Sequence, residues 1–342
     1  MALSRRSKYI CLAIAVLIIA ALWAGMTLWE KTTRRFAGSE SAWIVIPGAS
    51  SYEAILDTLK NSLGYDFGKT VYEVWEILKG EAGRAHGAYR IEPDDKVLDI
   101  ARRLKAGNQT PVRVTFNNVR LFNELPEKVA RSMEFSEAQF VQACDRILPA
   151  KGFDKAHFIA AFVPDTYEFY WTTPADKTVD RLLSYRNRFW TPERRGKADA
   201  LGLTPLEVAT LASIVDEETS IADEKGTIAR LYLNRLQKHM RLQADPTVKF
   251  AVGDFSLRRI LKQHLEKASP YNTYIVDGLP RGPIRMPEKA TIDAVLNAPH
   301  NNYLYMCAKD DFSGRHNFAS TLEQHNANAS RYRSALDARG IK

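Results

Sequence analysis

The stretch LTPLEVATLASIVDEETS, residues 203–220, is the most informative segment of the chain. Thr204, Pro205 and Glu207 form the pattern of a capping box with proline at the first helical position, so the sequence predicts that a helix begins here. An apolar run follows, and the segment ends with the three acids DEE. The capping box fixes the phase of the helix and therefore the direction in which each acid points.

The phase distinguishes the three acids of this helix. At about 100° per residue, Glu218 lies about 20° from Leu211 and about 40° from Ile214 around the helix axis. Asp216 and Glu217 lie about 160° and about 100° from Glu218. The sequence therefore predicts that Glu218 falls on the apolar face of the helix and that its two acidic neighbours do not.

A carboxyl at that position would have an unusual pKa. Partial burial and the negative end of the helix dipole both disfavour the ionised form, so both raise the pKa. A carboxylic acid that stays protonated near neutral pH can protonate a glycosidic oxygen as it leaves. Periodicity leaves one alternative open, in which the helix frays at Thr219 and Glu218 points into water.

The chain resembles the YceG-like (MltG) family of membrane-anchored endolytic murein transglycosylases. The matching segments, in the family's order, are FVPDTYEF (162–169), LASIVDEET (211–219), YLNRLQKHMRLQADPTVKF (232–250), SPYNTYIVDGLPRGPIRMP (269–287) and YLYMCAKDDFSGRHNF (303–318). The resemblance implies cleavage of the MurNAc–GlcNAc β-1,4 bond within peptidoglycan strands, without water and without a cofactor, leaving 1,6-anhydroMurNAc ends. It also implies that Glu218, the last acid of the family's ASI[IV]EKE pattern, is the catalytic group. Asp216 stands where the family has glutamate.

The other motifs are expected to build a substrate groove, because they mix polar and aromatic side chains that hydrogen-bond to sugars and stack on them. The candidate substrate-binding residues are Gln243, Asp245, Thr247, Tyr271, Asn272, Thr273, Tyr274 and His316. Two alternatives stay open. The DPT sequence at Asp245 is also typical of an Asx turn, and His316 could equally have a role in the core or at a strand end. Neither the histidines nor the cysteines show the spacing of metal ligands, so no metal is expected.

The N-terminal region predicts a membrane anchor. Residues 9–29 contain no charged side chain, and about 20 apolar residues are needed to cross the hydrocarbon as a helix. We expect a cytoplasmic tail over residues 1–8 and an uncleaved transmembrane helix over 9–29; the alternative is a cleaved leader. Basic residues are balanced on the two sides, so charge does not orient the helix. The substrate implied by the resemblance gives the orientation instead: the N-terminus is expected on the inner side of the bacterial cytoplasmic membrane and the body on the outer side.

The rest of the chain is expected to form an α+β body with two parts. Residues 43–107 contain two similar strand–turn–helix segments at an offset of 45 positions, which suggests a small LysM-like glycan-binding module or, alternatively, two unrelated units. Residues 108–342 would then form the larger YceG-like catalytic domain. Cys11, Cys144 and Cys307 lie far apart and indicate no disulfide framework, although in an exported body Cys144 and Cys307 could pair.

The charge balance bears on the partners. The chain has 48 basic and 40 acidic residues, a formal net charge of +8, yet the first 40 residues supply half of that excess. A nearly neutral body is not typical of a nucleic-acid binder. The expected partners are peptidoglycan strands and the membrane, and the resemblance allows peptidoglycan synthases as well. Two rival functions remain, a non-catalytic peptidoglycan-binding scaffold and a hydrolytic muramidase that would use Asp245 as its second carboxylate.

Overall fold

The computed structural model describes residues 5–257 and 259–340 and divides into two compact units. The first unit extends to Arg113 and includes residues 132–134 and 168–173; the remaining residues from Val114 onward form the second. The structure is 54% helical and its sheets are small, which confirms the expected mixture of helices and strands.

The chain begins with a long apolar helix, α1 (Arg5–Thr33). Its segment Arg6–Thr33 is long and apolar enough to cross a membrane, and none of its most apolar window is buried inside the protein. Lys31 in its last turn forms an ion pair with Glu73 at 2.6 Å between Nζ and Oε2. An exposed face of this apolarity is costly in water, so the helix has the properties of a membrane-spanning segment.

The first unit packs helices against an antiparallel pair of strands. Its further elements are β1 (Ala42–Ile46), α2 (Tyr52–Leu63), α3 (Tyr65–Ile77), β2 (Gly87–Ile91) and α4 (Val97–Ala106). The register of the strands pairs Ala42 with Ile91 and Ile46 with Gly87. Both predicted strand–turn–helix segments are present, as β1–α2 and β2–α4, and α3 lies between them in the chain. At Gly68 in α3, a Cβ would stand 2.2 Å from a carbonyl oxygen of α2, so the absence of a side chain lets the two helices meet.

The second unit is mainly helical and contains two small sheets. Following β3 (Val112–Phe116), its helices and strands are α5 (Leu125–Ala130), α6 (Glu137–Ala150), β4 (Asp165–Phe169), α7 (Ala175–Phe189), α8 (Pro192–Ala200), α9 (Pro205–Glu218), α10 (Ala222–Gln237), α11 (Asp245–Val252), α12 (Lys262–Leu265), α13 (Lys289–Leu296), β5 (Tyr305–Ala308), β6 (His316–Ala319) and α14 (Leu322–Ala338). The strands β3 and β4 form one two-stranded sheet, and β5 and β6 pair antiparallel in another.

The helix α9 is the centre of the second unit. Its predicted start is confirmed, because the Thr204 hydroxyl accepts the Glu207 N–H at 3.3 Å and the Glu207 carboxylate accepts the Thr204 N–H at 2.7 Å. The prediction of a single apolar stripe is wrong. Every residue from 208 to 215 is buried, because α8, α10, α11 and α13 pack around the helix. Each fully buried aliphatic side chain contributes about 2 kcal/mol to stability, so these contacts hold α9 firmly.

Candidate active site

Glu218 is the last residue of α9, and the helix does not fray before it. Thr219 follows in an extended conformation, with φ −147° and ψ 140°, and is buried. Its backbone N–H still donates to the Val215 carbonyl at 3.2 Å, and its hydroxyl accepts the Ile221 N–H at 3.0 Å. The buried Thr219 fixes the end of the helix and with it the position of Glu218.

The carboxyl of Glu218 is partly buried and has one neutral hydrogen-bond donor. The hydroxyl of Tyr232 on α10 donates to its Oε1 at 2.6 Å. The pKa of Glu218 is raised from 4.5 to about 7, chiefly by burial and also by the nearby negative charges of Asp245 and Glu217, whereas the Tyr232 hydrogen bond and Lys249 oppose the change. The carboxyl therefore holds its proton at a higher pH than an ordinary glutamate does.

Asp216, two residues earlier, lies in a fully bonded ionic cluster. Its side chain is only 2% exposed, and its Oδ1 lies 2.8 Å from the Lys225 ammonium. The Thr291 hydroxyl and the Glu288 backbone N–H also donate to this carboxylate, the latter at 2.8 Å. Asp216 is thus a buried carboxylate with a buried cation, contrary to the expectation that it lies off the packed face. The spacing rule fails here because α9 has no free face.

Glu217 is held by two arginines. Arg120 donates to both of its carboxylate oxygens at 2.8 Å, and Arg285 donates to its Oε1 at 2.8 Å. Hydrogen bonds between guanidinium and carboxylate groups at this distance are among the strong ones in proteins. In the described part of the chain, no cation lies within ion-pair distance of Glu218. Of the three consecutive acids, Glu218 alone combines partial burial with a neutral hydrogen-bond partner.

Glu218 faces a cavity of about 300 Å³ in the second unit. Four of the predicted groove residues line this cavity with it: Gln243, Asp245, Tyr274 and His316. The cavity wall also contains Tyr232, Arg235 and the apolar side chains of Leu231, Leu242 and Met306. A carboxyl of raised pKa thus shares a pocket with several hydrogen-bonding groups and the rings of two tyrosines, an arrangement suited to a polyhydroxylated ligand.

Three other predicted groove residues lie beneath this cavity. Thr247, Asn272 and Thr273 have no exposed surface. The hydroxyls of Thr247 and Thr273 lie 2.8 Å apart, and the Thr273 hydroxyl accepts the Ala244 N–H at 3.0 Å. The Asn272 amide donates to two carbonyls at 2.9 Å. Thr247 and Thr273 join α11 and the residue before it to the YNTY segment, whereas Asn272 joins that segment to residues 265 and 267 at the end of α12.

Tyr271, the remaining predicted groove residue, packs outside the cavity lining. Its ring lies 4.6 Å from that of Phe250, centroid to centroid, and it is partly buried against the core of the second unit. Its neighbour Tyr274 reaches the cavity instead. The two tyrosines of YNTY are therefore divided between packing and the cavity wall.

Asp245 and Gln243 occupy special backbone positions. Asp245 is the first residue of α11, and its Oδ1 accepts the Tyr274 hydroxyl at 2.7 Å, which ties the two segments together at the cavity. Gln243 has a φ of +49°, a left-handed conformation that is uncommon for a residue with a side chain. Its N–H donates to the Thr273 carbonyl at 3.1 Å. Such strain is characteristic of functional sites, where surrounding hydrogen bonds hold it in place.

His316 begins β6 and is joined to a buried acid on α10. Its Nδ1 lies 3.1 Å from Oε2 of Glu224, and its backbone N–H donates to Oε1 at 2.9 Å. The side chains of His316 and Glu224 are 15% and 7% exposed. His316 thus lies at a strand end, as one alternative had it, and also lines the cavity, while its role toward a substrate stays a prediction.

Sequence reasoning did not single out Tyr232, Arg235 or Glu224. Tyr232 and Arg235 belong to the YLNRL segment of α10, one turn apart, and both line the cavity. The Arg235 guanidinium is buried and donates to the carbonyls of Leu304 and Leu242 at 2.6 and 2.9 Å. A tyrosine and an arginine spaced by three on a helix that follows the acidic one were a signal of a shared face. Their proximity to Glu218 depends on how α9 and α10 cross.

The three cysteines are free thiols. Cys144 is buried in the core and Cys307 lines the cavity, so the pairing considered from the sequence is not formed. Among residues 5–257 and 259–340, no group of three or more histidine, cysteine or acidic side chains is arranged to hold a metal ion.

Comparisons with known proteins agree on one family. The sequence model of the YceG-like family matches residues 44–331. The chain is 26% identical over 309 residues to the endolytic murein transglycosylase of Bacillus subtilis strain 168, and the match covers 85% of each protein. It is 27% identical over 190 residues to the endolytic murein transglycosylase of Streptococcus pneumoniae serotype 2, where it spans 54% of this chain and 34% of the relative.

A solved structure shares the fold. The 2.6 Å crystal structure of a YceG-like protein from Listeria monocytogenes superposes with a TM-score of 0.56 at 22% sequence identity. The superposition covers 85% of this chain and 99% of the other. The likeness therefore extends over nearly all of that protein.

Proposed function

The chain belongs to the YceG-like family, and on that premise we propose that it is an endolytic lytic transglycosylase of peptidoglycan with Glu218 as its catalytic residue. The activity in the names of the relatives supports the reaction class. The observation that carries the assignment is the contrast at the end of α9, where Asp216 and Glu217 are paired with cations while Glu218 is partly buried, bonded to a tyrosine and open to a cavity.

In the proposed reaction, Glu218 first acts as a general acid. Its proton passes to O4 of the leaving GlcNAc as the bond between C1 of MurNAc and O4 breaks. A pKa near 7 suits this step, because the acid is protonated near neutral pH and still gives up its proton readily. The hydrogen bond from Tyr232 holds one carboxyl oxygen, which leaves the other free to face the substrate.

The second half of the reaction needs no water. The C6 hydroxyl of MurNAc attacks C1, and the Glu218 carboxylate accepts the hydroxyl proton, so a 1,6-anhydro ring forms. Retaining glycosidases need a second carboxylate as nucleophile, and inverting ones need it as a base for water. Here the substrate supplies its own nucleophile, so one carboxyl is sufficient. The dipoles around the cavity would stabilise the positive charge that develops on the sugar ring.

The polar groups of the cavity wall would orient the sugar. Gln243 and Asp245 offer hydrogen-bonding groups on one wall, and the ring of Tyr274 offers a flat face. The left-handed backbone at Gln243 and the hydroxyl of Tyr274 on Asp245 fix these groups before substrate binds. Such preorganisation reduces the entropy that would be lost on binding.

The N-terminal helix supports a membrane-anchored enzyme. We infer that α1 crosses the bacterial cytoplasmic membrane once, with residues 1–8 inside and the body outside, because peptidoglycan strands are assembled outside that membrane. The strand pair and helices of the first unit are compatible with a LysM-like module that binds glycan. Peptidoglycan synthases would be natural partners, since they make the strands that this enzyme would cut.

A digestion experiment tests the reaction. Full-length protein in detergent is incubated with uncrosslinked glycan strands, and the new ends are identified by mass spectrometry. We expect the wild type to produce anhydro ends, and we expect Glu218→Gln to produce them at a rate lower by roughly a hundredfold or more. A thermal melt of the variant provides the folding control. Reducing ends from the wild type would refute the proposal.

Asp245 gives the hydrolytic alternative a specific basis, because its carboxylate lies in the same cavity as Glu218. A muramidase would need this second carboxylate as a nucleophile or as a base for water. In the same digestion, Asp245→Asn should keep anhydro products under the transglycosylase proposal. Reducing ends that vanish in Asp245→Asn would favour the muramidase, and no cleavage at all by the wild type would favour a scaffold.

A further inference from the structure

The cavity contains a second group that can carry a proton. His316 lines the cavity from β6, and its Nδ1 lies 3.1 Å from Oε2 of Glu224. The other oxygen of Glu224 accepts the backbone N–H of His316 at 2.9 Å. Both oxygens of a buried carboxylate are thus used by one residue, which fixes the imidazole plane against the cavity wall.

The hydrogen bond also determines which ring nitrogen is available. A carboxylate at Nδ1 favours the tautomer that carries its hydrogen there, so the lone pair of a neutral ring is on Nε2. In the described ranges, 5–257 and 259–340, no hydrogen-bond partner contacts Nε2. Burying Glu224 costs free energy unless it is fully bonded. Both oxygens of this buried carboxylate bond to a single histidine at the cavity, which indicates that Glu224 serves to orient the His316 ring.

This inference rests on the proposed function but reassigns its second proton transfer: we propose that His316 is a second catalytic residue, with Glu224 as its positioning residue, and that it, in place of the Glu218 carboxylate, accepts the proton of the MurNAc C6 hydroxyl while Glu218 donates its proton to O4. The C1–O4 bond breaks and the C1–O6 bond forms. One proton leaves Glu218 for the leaving group, and one passes from the C6 hydroxyl to Nε2 of His316. The two side chains return to their starting protonation states by exchange with solvent, so no external reactant is needed.

This division differs from the single-residue scheme in the number of side chains that exchange protons with the sugar. A lone Glu218 must give up its proton and then recover one while the sugar rearranges beside it. With His316 on the same cavity, each transfer has its own group, as in other sites where a carboxylate orients a histidine base. The pair joins residues 92 positions apart in the chain, and it links α10 to β6 at the place where the reaction would occur.

Alanine and asparagine at position 316 test the proton role. Full-length protein is assayed for anhydro ends on glycan strands. We expect His316→Ala to lower kcat by roughly a hundredfold, with KM little changed, and added imidazole to restore part of the loss. His316→Asn keeps a donor for Glu224 but has no base, so it should be equally slow and should keep the wild-type melting temperature. Imidazole should not restore Glu218→Gln.

The neighbouring ion pair provides a matched control. Asp223 and Arg315 each precede a member of the pair by one residue and form an ion pair at 3.0 Å that is largely exposed. Asp223→Asn should keep the wild-type rate, whereas Glu224→Gln should lower kcat by roughly tenfold because the ring loses its fixed tautomer.

Three results would overturn the inference. The first is a His316→Asn rate within about threefold of the wild type, since a general base contributes far more than that. The second is a slow but folded His316→Ala that imidazole does not restore, which would leave both transfers to Glu218. The third is an equal loss in Asp223→Asn and Glu224→Gln. Absence of anhydro ends with the wild type is a different failure, because it would refute the proposed function itself.

Discussion

Replacing Glu218 by glutamine is expected to make the second unit more stable at pH 8 while leaving its stability unchanged at low pH. The prediction follows from the partial burial of this carboxyl and from its lack of a cationic partner among the described residues. An active-site group that destabilises the fold is the usual cost of a tuned pKa. The variant therefore tests the electrostatics of the site without any substrate.

The magnitude follows from the raised pKa. The Glu218 carboxyl has an ordinary pKa of 4.5 and a folded-state pKa of about 7. Because the folded protein holds this proton more tightly, the stability associated with the neutral carboxyl is present below pH 4.5 and is lost as the pH rises to about 7. A pKa difference of about 2.5 corresponds to about 3 kcal/mol at pH 8. Glutamine does not titrate, so the variant keeps this stability.

The assay is urea unfolding of the full-length protein at pH 4 and pH 8. Trp190 packs in the same core as Leu211 of α9 and is the only tryptophan of the second unit, so fluorine labelling of tryptophan and NMR can follow that unit specifically. The free energy of unfolding of Glu218→Gln minus that of the wild type should rise from near zero at pH 4 to about 3 kcal/mol at pH 8. A difference that is independent of pH would refute the reasoning.

Glu217→Gln is the matched control on the adjacent residue. Glu217 is paired with Arg120 and Arg285, so loss of its charge leaves two guanidinium groups without their carboxylate. We expect Glu217→Gln to lower the free energy of unfolding by about 2 kcal/mol or more at pH 8, whereas Glu218→Gln should raise it. Two neighbouring glutamates with opposite effects would show that their surroundings, and not their residue type, determine the energetics.

Further predictions concern the partners of these acids and the N-terminal helix. Tyr232→Phe removes the hydrogen bond that lowers the pKa of Glu218, so the alkaline limb of the pH–rate profile should move to higher pH; a shift to lower pH would contradict the assigned contact. Lys225→Met leaves the buried Asp216 without its cation and should destabilise the protein by about 3 kcal/mol or more, measured as a lower melting temperature, whereas an unchanged melt would argue against the buried pair. A chain lacking residues 1–33 should leave the membrane fraction and still cleave isolated glycan strands, and its retention on membranes would exclude α1 as the sole anchor.

The start of α9 and the apolar character of α1 could be predicted from sequence because both depend on near neighbours. A capping box joins residues three positions apart, and the ability to span a membrane depends on the composition of one continuous segment. The two strand–turn–helix segments of the first unit are local in the same sense. The proposal that Glu218 is the catalytic residue needed only its place in a motif.

The surroundings of the acids could not be predicted in this way. Helical phase assumes one buried face, and it failed for Asp216 because α9 is packed on all sides. Likewise, the motif QADPTV gave no sign that Thr247 would lie beneath the cavity while Asp245 reaches it. Position in a motif does not distinguish a side chain that contacts the cavity from one that supports it.

The sequence by itself determined the family and the long apolar helix at the N-terminus, and it was sufficient to propose Glu218 as the catalytic residue, since these depend on ordered motifs and local composition. Only the tertiary structure decided the partners of three consecutive acids, the raised pKa of Glu218 and the pairing of His316 with Glu224. The physical reason is that a pKa depends on burial and on charges within a few ångströms, and the groups that supply them come from distant parts of the chain.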